Sequence, residues 1–309
     1  MSQKSLFVRN PQNPILGPGS IPGAALIMNS AVVRFGKAYA GVFRVETEEL
    51  MMELHAGFSR DGIRWDIDSH PIKLSGMVPT TTPAGRGYDP RITKIDGTYY
   101  VTWCYYPCGQ GPAIGMASTR DFRKFKQLAA VLLPYNRNAV LFPRKIGGKY
   151  AILHRPSDNG HTPFGDVYYA TSPDLLHWGD HRFVFGRAAG WQGTKVGAGP
   201  TPIEIKEGWL MLYHGVVTTC NGFVYSMGGA ILKKEQPWKV LHRTKRYMMM
   251  PEASYERVGF VPNVVFPTST ILDEKTGKLD VYYGAADTYV AMASANIGEV
   301  IRFIKNNSM

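Results

Sequence analysis

Five glycine turns, each between an apolar strand and an aromatic-rich strand, recur along this chain 61, 51, 60 and 69 residues apart. The turn-and-strand units are Gly36-Lys-Ala-Tyr-Ala-Gly-Val-Phe, Gly97-Thr-Tyr-Tyr-Val-Thr, Gly148-Lys-Tyr-Ala-Ile-Leu, Gly208-Trp-Leu-Met-Leu-Tyr and Gly277-Lys-Leu-Asp-Val-Tyr-Tyr. Repetition at this period marks an architecture in which each unit buries its faces against its neighbours. A second marker runs in phase. Trp65, Phe125, Trp178 and, more loosely, Trp238 follow tight turns and lie 60, 53 and 60 residues apart. Asp with Ser, Pro or Gly reverses the chain there, and the aromatic that follows can pack between adjacent sheets. Each unit then holds four short strands, two around the glycine, a third such as Ala113–Ser118 or Asp166–Thr171, and an outer one after the aromatic. Four-stranded sheets repeated around an axis predict an all-β, five-bladed β-propeller. A helical pattern is confined to the tail Ile297–Lys305, an amphipathic stretch expected to pack on the body or on a partner chain.

With 309 residues, 44% of them hydrophobic, the chain has ample core for one large domain or two small ones. The repeat spans the chain without a Pro/Gly/Ser-rich linker, so a single domain over 1–309 is expected. The first ten residues carry no apolar run of the secretory kind. No stretch approaches the ~20 apolar residues that cross a bilayer. Cys104, Cys108 and Cys220 are an odd, sparse set, which suits reduced thiols and a cytoplasmic location. Cys104 and Cys108 have the spacing of a weak metal pair, but no second Cys/His pair follows, and no metal is expected. The net charge of +11 fits three readings: a nucleic-acid surface, a field for an anionic substrate, or a solvated exterior. Its basic residues are scattered, the densest cluster being Arg243-Thr-Lys-Arg246, and no nucleic-acid module is visible.

Hairpin geometry brings one end of each inner pair of strands to the same face, beside the axis. The first strands are expected to begin near Asn29-Ser30, Asp89, Asn136-Arg137, Lys195 and Asn263. The second strands are expected to finish at Arg44, Tyr105, His154-Arg155, His214 and Asp287. Asp89, before Pro90, equally fits a turn aspartate. His154 and His214 end apolar runs and fit core histidines, and Asp287 fits a turn residue or an acceptor for sugar hydroxyls. Arg137 and Arg155 are harder to place without a partner, because an uncompensated buried charge costs several kcal/mol. With Lys195 and His214 they suggest a bound anion, and arginine forks suit phosphate. Carboxylates, aromatics and an anion site together point to an enzyme that acts on glycosides with phosphate.

Seven ordered motifs then carry a resemblance over nearly the whole chain. They are Gly87-Tyr-Asp-Pro-Arg91, Asn136-Arg-Asn-Ala-Val-Leu-Phe-Pro-Arg144, His154-Arg-Pro-Ser-Asp-Asn-Gly-His-Thr-Pro-Phe-Gly-Asp166, Lys195-Val-Gly-Ala-Gly-Pro200, Tyr213-His-Gly215, Cys220-Asn-Gly-Phe-Val-Tyr225 and Tyr283-Gly-Ala-Ala-Asp287. The chain resembles glycoside hydrolase family 130, the inverting β-mannoside phosphorylases, and most closely its β-1,4-mannooligosaccharide branch. The resemblance implies that Asp89 is the single catalytic acid, relaying its proton through the mannose 3-hydroxyl. It implies that Arg137, Arg155, Lys195, His214 and Tyr225 bind phosphate, and that Asn29, Ser30, Arg44 and Asp287 hold the mannose. An inverting hydrolase needs a second carboxylate to activate water; a phosphorylase does not, since phosphate is itself the nucleophile. No metal or organic cofactor is implied, and the partners are a β-mannoside, phosphate and, on the family pattern, further copies of the chain. The segment before Asn13 is shorter than in several relatives, which leaves the oligomeric state open. Acceptor choice is expected in the loops Lys73–Arg86 and Phe185–Trp191. The alternatives kept open are a β-mannoside hydrolase or β-1,2-mannoside phosphorylase on the same fold, and a non-catalytic sugar-binding propeller.

Overall fold

All five repeat glycines sit at positive φ, between 61° and 149°, in the region that excludes most side chains. Each therefore turns a hairpin where the sequence places one. The computed structural model describes residues 5–76, 86–106, 111–128, 131–157 and 164–309.

Five antiparallel sheets follow in chain order and form the blades of a propeller. Blade 1 pairs Ala24–Phe35, Ala38–Thr47, Met52–Ser59 and Asp66–Ile67. Blade 2 pairs Tyr88–Ile95, Thr98–Tyr105, Ala113–Thr119 and Phe125–Gln127, with Leu74–Ser75 added in parallel at its outer edge. Blade 3 pairs Asn136–Leu141, Tyr150–Pro156, Val167–Ser172 and Gly179–Phe185. In blade 4 the inner strand is broken into Lys195–Ala198 and Ile203–Ile205, both laid on Gly208–Thr219, followed by Gly222–Lys233 and Gln236–Arg243.

Blade 5 differs from the four-strand expectation. Val265–Asp273, Lys278–Ala285 and Tyr289–Asn296 are local, but the outer strand comes from the other end of the chain, where Val8 and Arg9 pair Ser294 and Ala293. The ring closes non-covalently through this pairing, which covers the edge of Tyr289–Asn296 at Ala293 and Ser294.

The aromatic turns share one set of hydrogen bonds. Ser59, Thr119 and Ser172 accept at their hydroxyls from backbone N–H groups of the turn. Asp61, Asp121 and Asp174 each accept from two further N–H groups at 2.8–2.9 Å. Those backbone bonds hold all three carboxyls below the usual aspartate value. The aromatics then pack as the repeat implies, Trp238 of blade 4 lying 5.3 Å from Tyr169 of blade 3. Helix Ile297–Asn306 is capped by the Asn296 side chain and buries Val300 and Ile304. It packs on the body of its own chain, and Gly229 leaves the room that Ile304 fills. Cys104 and Cys220 are free thiols, and Cys108 lies outside the described residues. Among the described residues no helix is long and apolar enough to cross a membrane.

Candidate active site

The inner strands of blades 1 to 3 each break register at the axis, between Met28 and Ala31, Tyr88 and Arg91, and Arg137 and Val140. Inside the three breaks stand Asn29, Asp89 and Asn138, at φ 45°, 52° and 52°. Asn and Asp tolerate this left-handed conformation better than other side chains. A bulge twists the strand locally and re-aims the side chain it carries. Blade 5 makes the matching move just beyond its second strand, with Asp287 at φ 43°. The site residues are thus delivered by bulges and mid-strand positions as well as by strand ends. Asn29 and Ser30 lie inside Ala24–Phe35, Arg44 inside Ala38–Thr47 and His214 inside Gly208–Thr219, which corrects the expected end positions.

These elements enclose an axial cavity of about 330 Å³, and nine of the ten expected site residues line it. Ser30 does not. It is fully buried, and its hydroxyl donates to the Met28 carbonyl. Its own carbonyl accepts from Thr268, so Ser30 joins blades 1 and 5 behind the cavity wall.

Two clusters share the cavity. In the acidic one, Asn29 Nδ2 donates to Asp89 Oδ1 at 3.0 Å and lies 3.5 Å from Asp287 Oδ1. Arg44 donates to the same Asp89 oxygen at 2.9 Å and to Glu46 through its other terminal nitrogen. Burial works against the Arg44 charge, but Asp89, Asp287 and Glu46 outweigh it and raise its pKa. Burial pushes Asp287 up to about 6, with Arg44 opposing and Asp89 adding to the rise. Glycine is required at 284, because a Cβ there would overlap Asn29 Oδ1.

In the basic cluster, Arg155 donates to His214 Nε2 at 3.0 Å. Arginine has no acceptor, so His214 presents a bare Nε2 and carries its proton on Nδ1. Burial, then the charges of Arg155, Arg91 and Lys195, keeps this histidine neutral. Gly197 leaves space for both partners, since a Cβ would meet His214 and Arg155. The Lys195 ammonium lies 4.5 Å from the Phe223 ring centre and 5.5 Å from that of Tyr225. Burial, then Asp287, lifts the Tyr225 phenol far above its usual range, which keeps it a hydroxyl donor. Arg137 donates to the Tyr106 hydroxyl at 2.8 Å, and Tyr106 stacks on Tyr88.

Several contributors escaped the sequence reading. Arg91 is buried and braces the bulge, donating to Pro90 and Asp89 carbonyls and, across blades, to Gly199 at 2.8 Å. Glu46 partners Arg44 from outside the lining. Phe260, Val261 and Val264 line the cavity from the segment before blade 5. In the expected acceptor loop Phe185–Trp191 the two end residues are packed. Phe185 and Trp191 both pack on Tyr213, where their rings join the core of blade 4. Residues 77–85 of the other expected acceptor loop, and 158–163 within the His154–Asp166 motif, lie outside the described residues. No cluster of three or more His, Cys, Asp or Glu side chains suited to a metal occurs among the described residues.

The family model described as β-1,4-mannooligosaccharide phosphorylase, glycoside hydrolase family 130, matches residues 7–306. The chain belongs to glycoside hydrolase family 130. Within the family it is 48% identical to the β-1,4-mannooligosaccharide phosphorylase of Ruminococcus albus, over 99% of this chain and 92% of that one. It is 38% identical to a β-1,2-mannobiose phosphorylase of Listeria innocua, over 79% of this chain and 66% of the relative. The solved β-1,2-mannobiose complex of a phosphorylase from Listeria innocua superposes with a TM-score of 0.86. That comparison has 27% identity and covers 97% of this chain and 99% of the other.

Proposed function

We propose that this chain is one catalytic domain that cleaves β-linked mannosides, β-1,4-mannooligosaccharides foremost, with inorganic phosphate and inversion, releasing α-D-mannose 1-phosphate. The observation that carries the reading is the pairing of two clusters in one cavity. Four cationic side chains line it against two carboxylates, and both carboxylates approach the same Asn29 amide nitrogen. Among the described residues, the basic cluster offers an anion its binding groups but no carboxylate base for water. A phosphorylase needs that division, since its nucleophile arrives already charged.

Asp89 acts as the acid. Its Oδ1 accepts from both Arg44 and Asn29, so the transferable proton is assigned to Oδ2. It passes to the leaving glycosidic oxygen, through the mannose 3-hydroxyl, as the C1–O bond breaks. A phosphate oxygen bonds to C1 from the opposite face, and Asp89 is left as a carboxylate that regains its proton from solvent. Arg137, Arg155 and Lys195 neutralise and orient the phosphate, with the Tyr225 hydroxyl and His214 Nδ1–H as neutral donors. Asn29, Arg44 and Asp287 hold the sugar. No step calls for a metal or organic cofactor. A homo-oligomeric assembly and a cytoplasmic location belong to the same reading, the first checked by mass in solution from light scattering.

The relative at 48% identity supports a β-1,4 linkage over β-1,2. The deciding experiment incubates the protein with β-1,4-mannobiose, and separately β-1,2-mannobiose, with and without phosphate. Mannose 1-phosphate is expected from the β-1,4 substrate only when phosphate is present. Equal release of free mannose in both tubes would make the protein a hydrolase.

A further inference from the structure

The buried carboxylate of Glu46 takes no place in the reaction outlined above. Glu46 follows Arg44 by two residues on the strand Ala38–Thr47, so both side chains point to the same face of blade 1. It is more than nine-tenths buried, and a buried carboxylate must be paired. Its salt-bridge partner is Arg44, which also forms the salt bridge to Asp89.

We propose that Glu46 is a positioning residue for the acid, through a Glu46–Arg44–Asp89 chain that fixes the direction of Arg44 and offsets its charge. The guanidinium is a rigid planar fork. Tethering one terminal nitrogen to Glu46 aims the other at Asp89 Oδ1, where Asn29 also donates. That arrangement leaves Oδ2 for the proton. Without Glu46, Arg44 would face only Asp89 and Asp287, and its full charge would favour the ionised form of both. An acid that must hold a proton until substrate arrives works worse beside an uncompensated cation. Glu46 supplies the compensation from outside the cavity, where it displaces no substrate.

The inference rests on the proposed role of Asp89 as acid. Facing Asp89 are Arg44 and Asn29 from blade 1, Arg91 and Cys104 from blade 2, Tyr225 from blade 4 and Asp287 from blade 5. Facing Glu46 are Arg44 and, at longer range, Asp287. Loss of the Glu46 charge should thus move the acidic limb of the pH profile, where Asp287 gains a proton, to lower pH.

The test is the pH dependence of kcat/KM for β-1,4-mannobiose at saturating phosphate, in wild type, Glu46→Gln and Glu46→Asp. Phosphate ionisation is common to all three and cancels in the comparison. Wild-type turnover that ignores phosphate would strike down the underlying reading, whatever Glu46 does. Given phosphate-dependent turnover, Glu46→Gln should shift the acidic limb down by about one pH unit, the order expected for one nearby charge at a protein-like dielectric. Its kcat should fall about tenfold with the KM for phosphate unchanged. Glu46→Asp, which keeps the charge at shorter reach, should hold the acidic limb at its wild-type position with a reduced kcat. A Glu46→Gln acidic limb superimposed on that of the wild type, or an unchanged kcat, would overturn the proposal. Should Glu46→Gln fail to fold, Glu46→Asp decides alone, and a wild-type kcat there would overturn it.

Discussion

At the scale of single residues, Asp287 ties electrostatics to pH most directly. Burial first, then Asp89, raises its carboxyl from 3.8 to about 6, against the pull of Arg44. A group with a folded-state pKa above its unfolded value stabilises the fold fully below the unfolded value. That contribution is lost as pH rises through the folded one. Ionising Asp287 therefore weakens the free fold between pH 4 and 6, by about 3 kcal/mol at most. Asp287→Asn should flatten this part of the stability curve in denaturant titrations at pH 4.5 and 7. A slope equal to that of the wild type would show that Asp287 ionises freely. The proposed function gives that cost a use: an ionised Asp287 would accept sugar hydroxyls, and binding would replace the lost water. Asp89, Arg155 and Asp287 were all legible from hairpin ends and motifs. Glu46 was not, because a Glu in a strand gives no sign of burial until the register is known.

At the scale of elements, the site depends on how closely two strands approach the axis. Blade 1 brings its bulged strand against Lys278–Ala285 of blade 5, and Gly284 is the point of contact with Asn29. The hairpin repeat located these strands, and every repeat glycine turned as expected. The bulges were hidden, since Asn29 and Asn138 give no sign of a break until their positive φ is seen, and Asp89 before Pro90 fits a turn as well as a site. Gly284→Ala should drive Asn29 from its place between Asp89 and Asp287. The expected result is a loss of kcat of about 100-fold, as for removal of one fixed polar group at a reacting centre. Far-UV circular dichroism and phosphate affinity should stay near wild type, because the basic cluster lies on other blades. Unchanged kcat would mean that Asn29 does not set the acid.

At the scale of the whole molecule, a propeller must hold its first and last blades together without a covalent bond. Here a two-residue strand pairs Val8 and Arg9 with blade 5, a pairing too short and too distant in sequence to leave a local pattern. Glu256 locks that closure. It is fully buried, accepts from Arg9 at 2.8 and 2.9 Å, from Tyr283 at 2.8 Å and from the backbone of Glu252 and Ala253. Tyr283 immediately precedes Gly284, and the segment after Glu256 carries Phe260, Val261 and Val264 to the cavity. One carboxylate thus joins the ring closure, the approach to Asp287 and part of the cavity wall. Burial alone would raise its pKa, but the bonds from Arg9 and the backbone win and lower it. Its contribution is therefore present at neutral pH and lost as pH falls through that lowered value. Removing the charge with Glu256→Gln leaves the half-buried Arg9 with only the exposed Glu252 as its ionic partner, at a cost of about 3 kcal/mol. The thermal midpoint should fall by roughly 5–10 °C, and Arg9→Met should lower it in the same direction. Midpoints of both variants coincident with the wild type would show that the blade-5 core holds the ring closed without this staple.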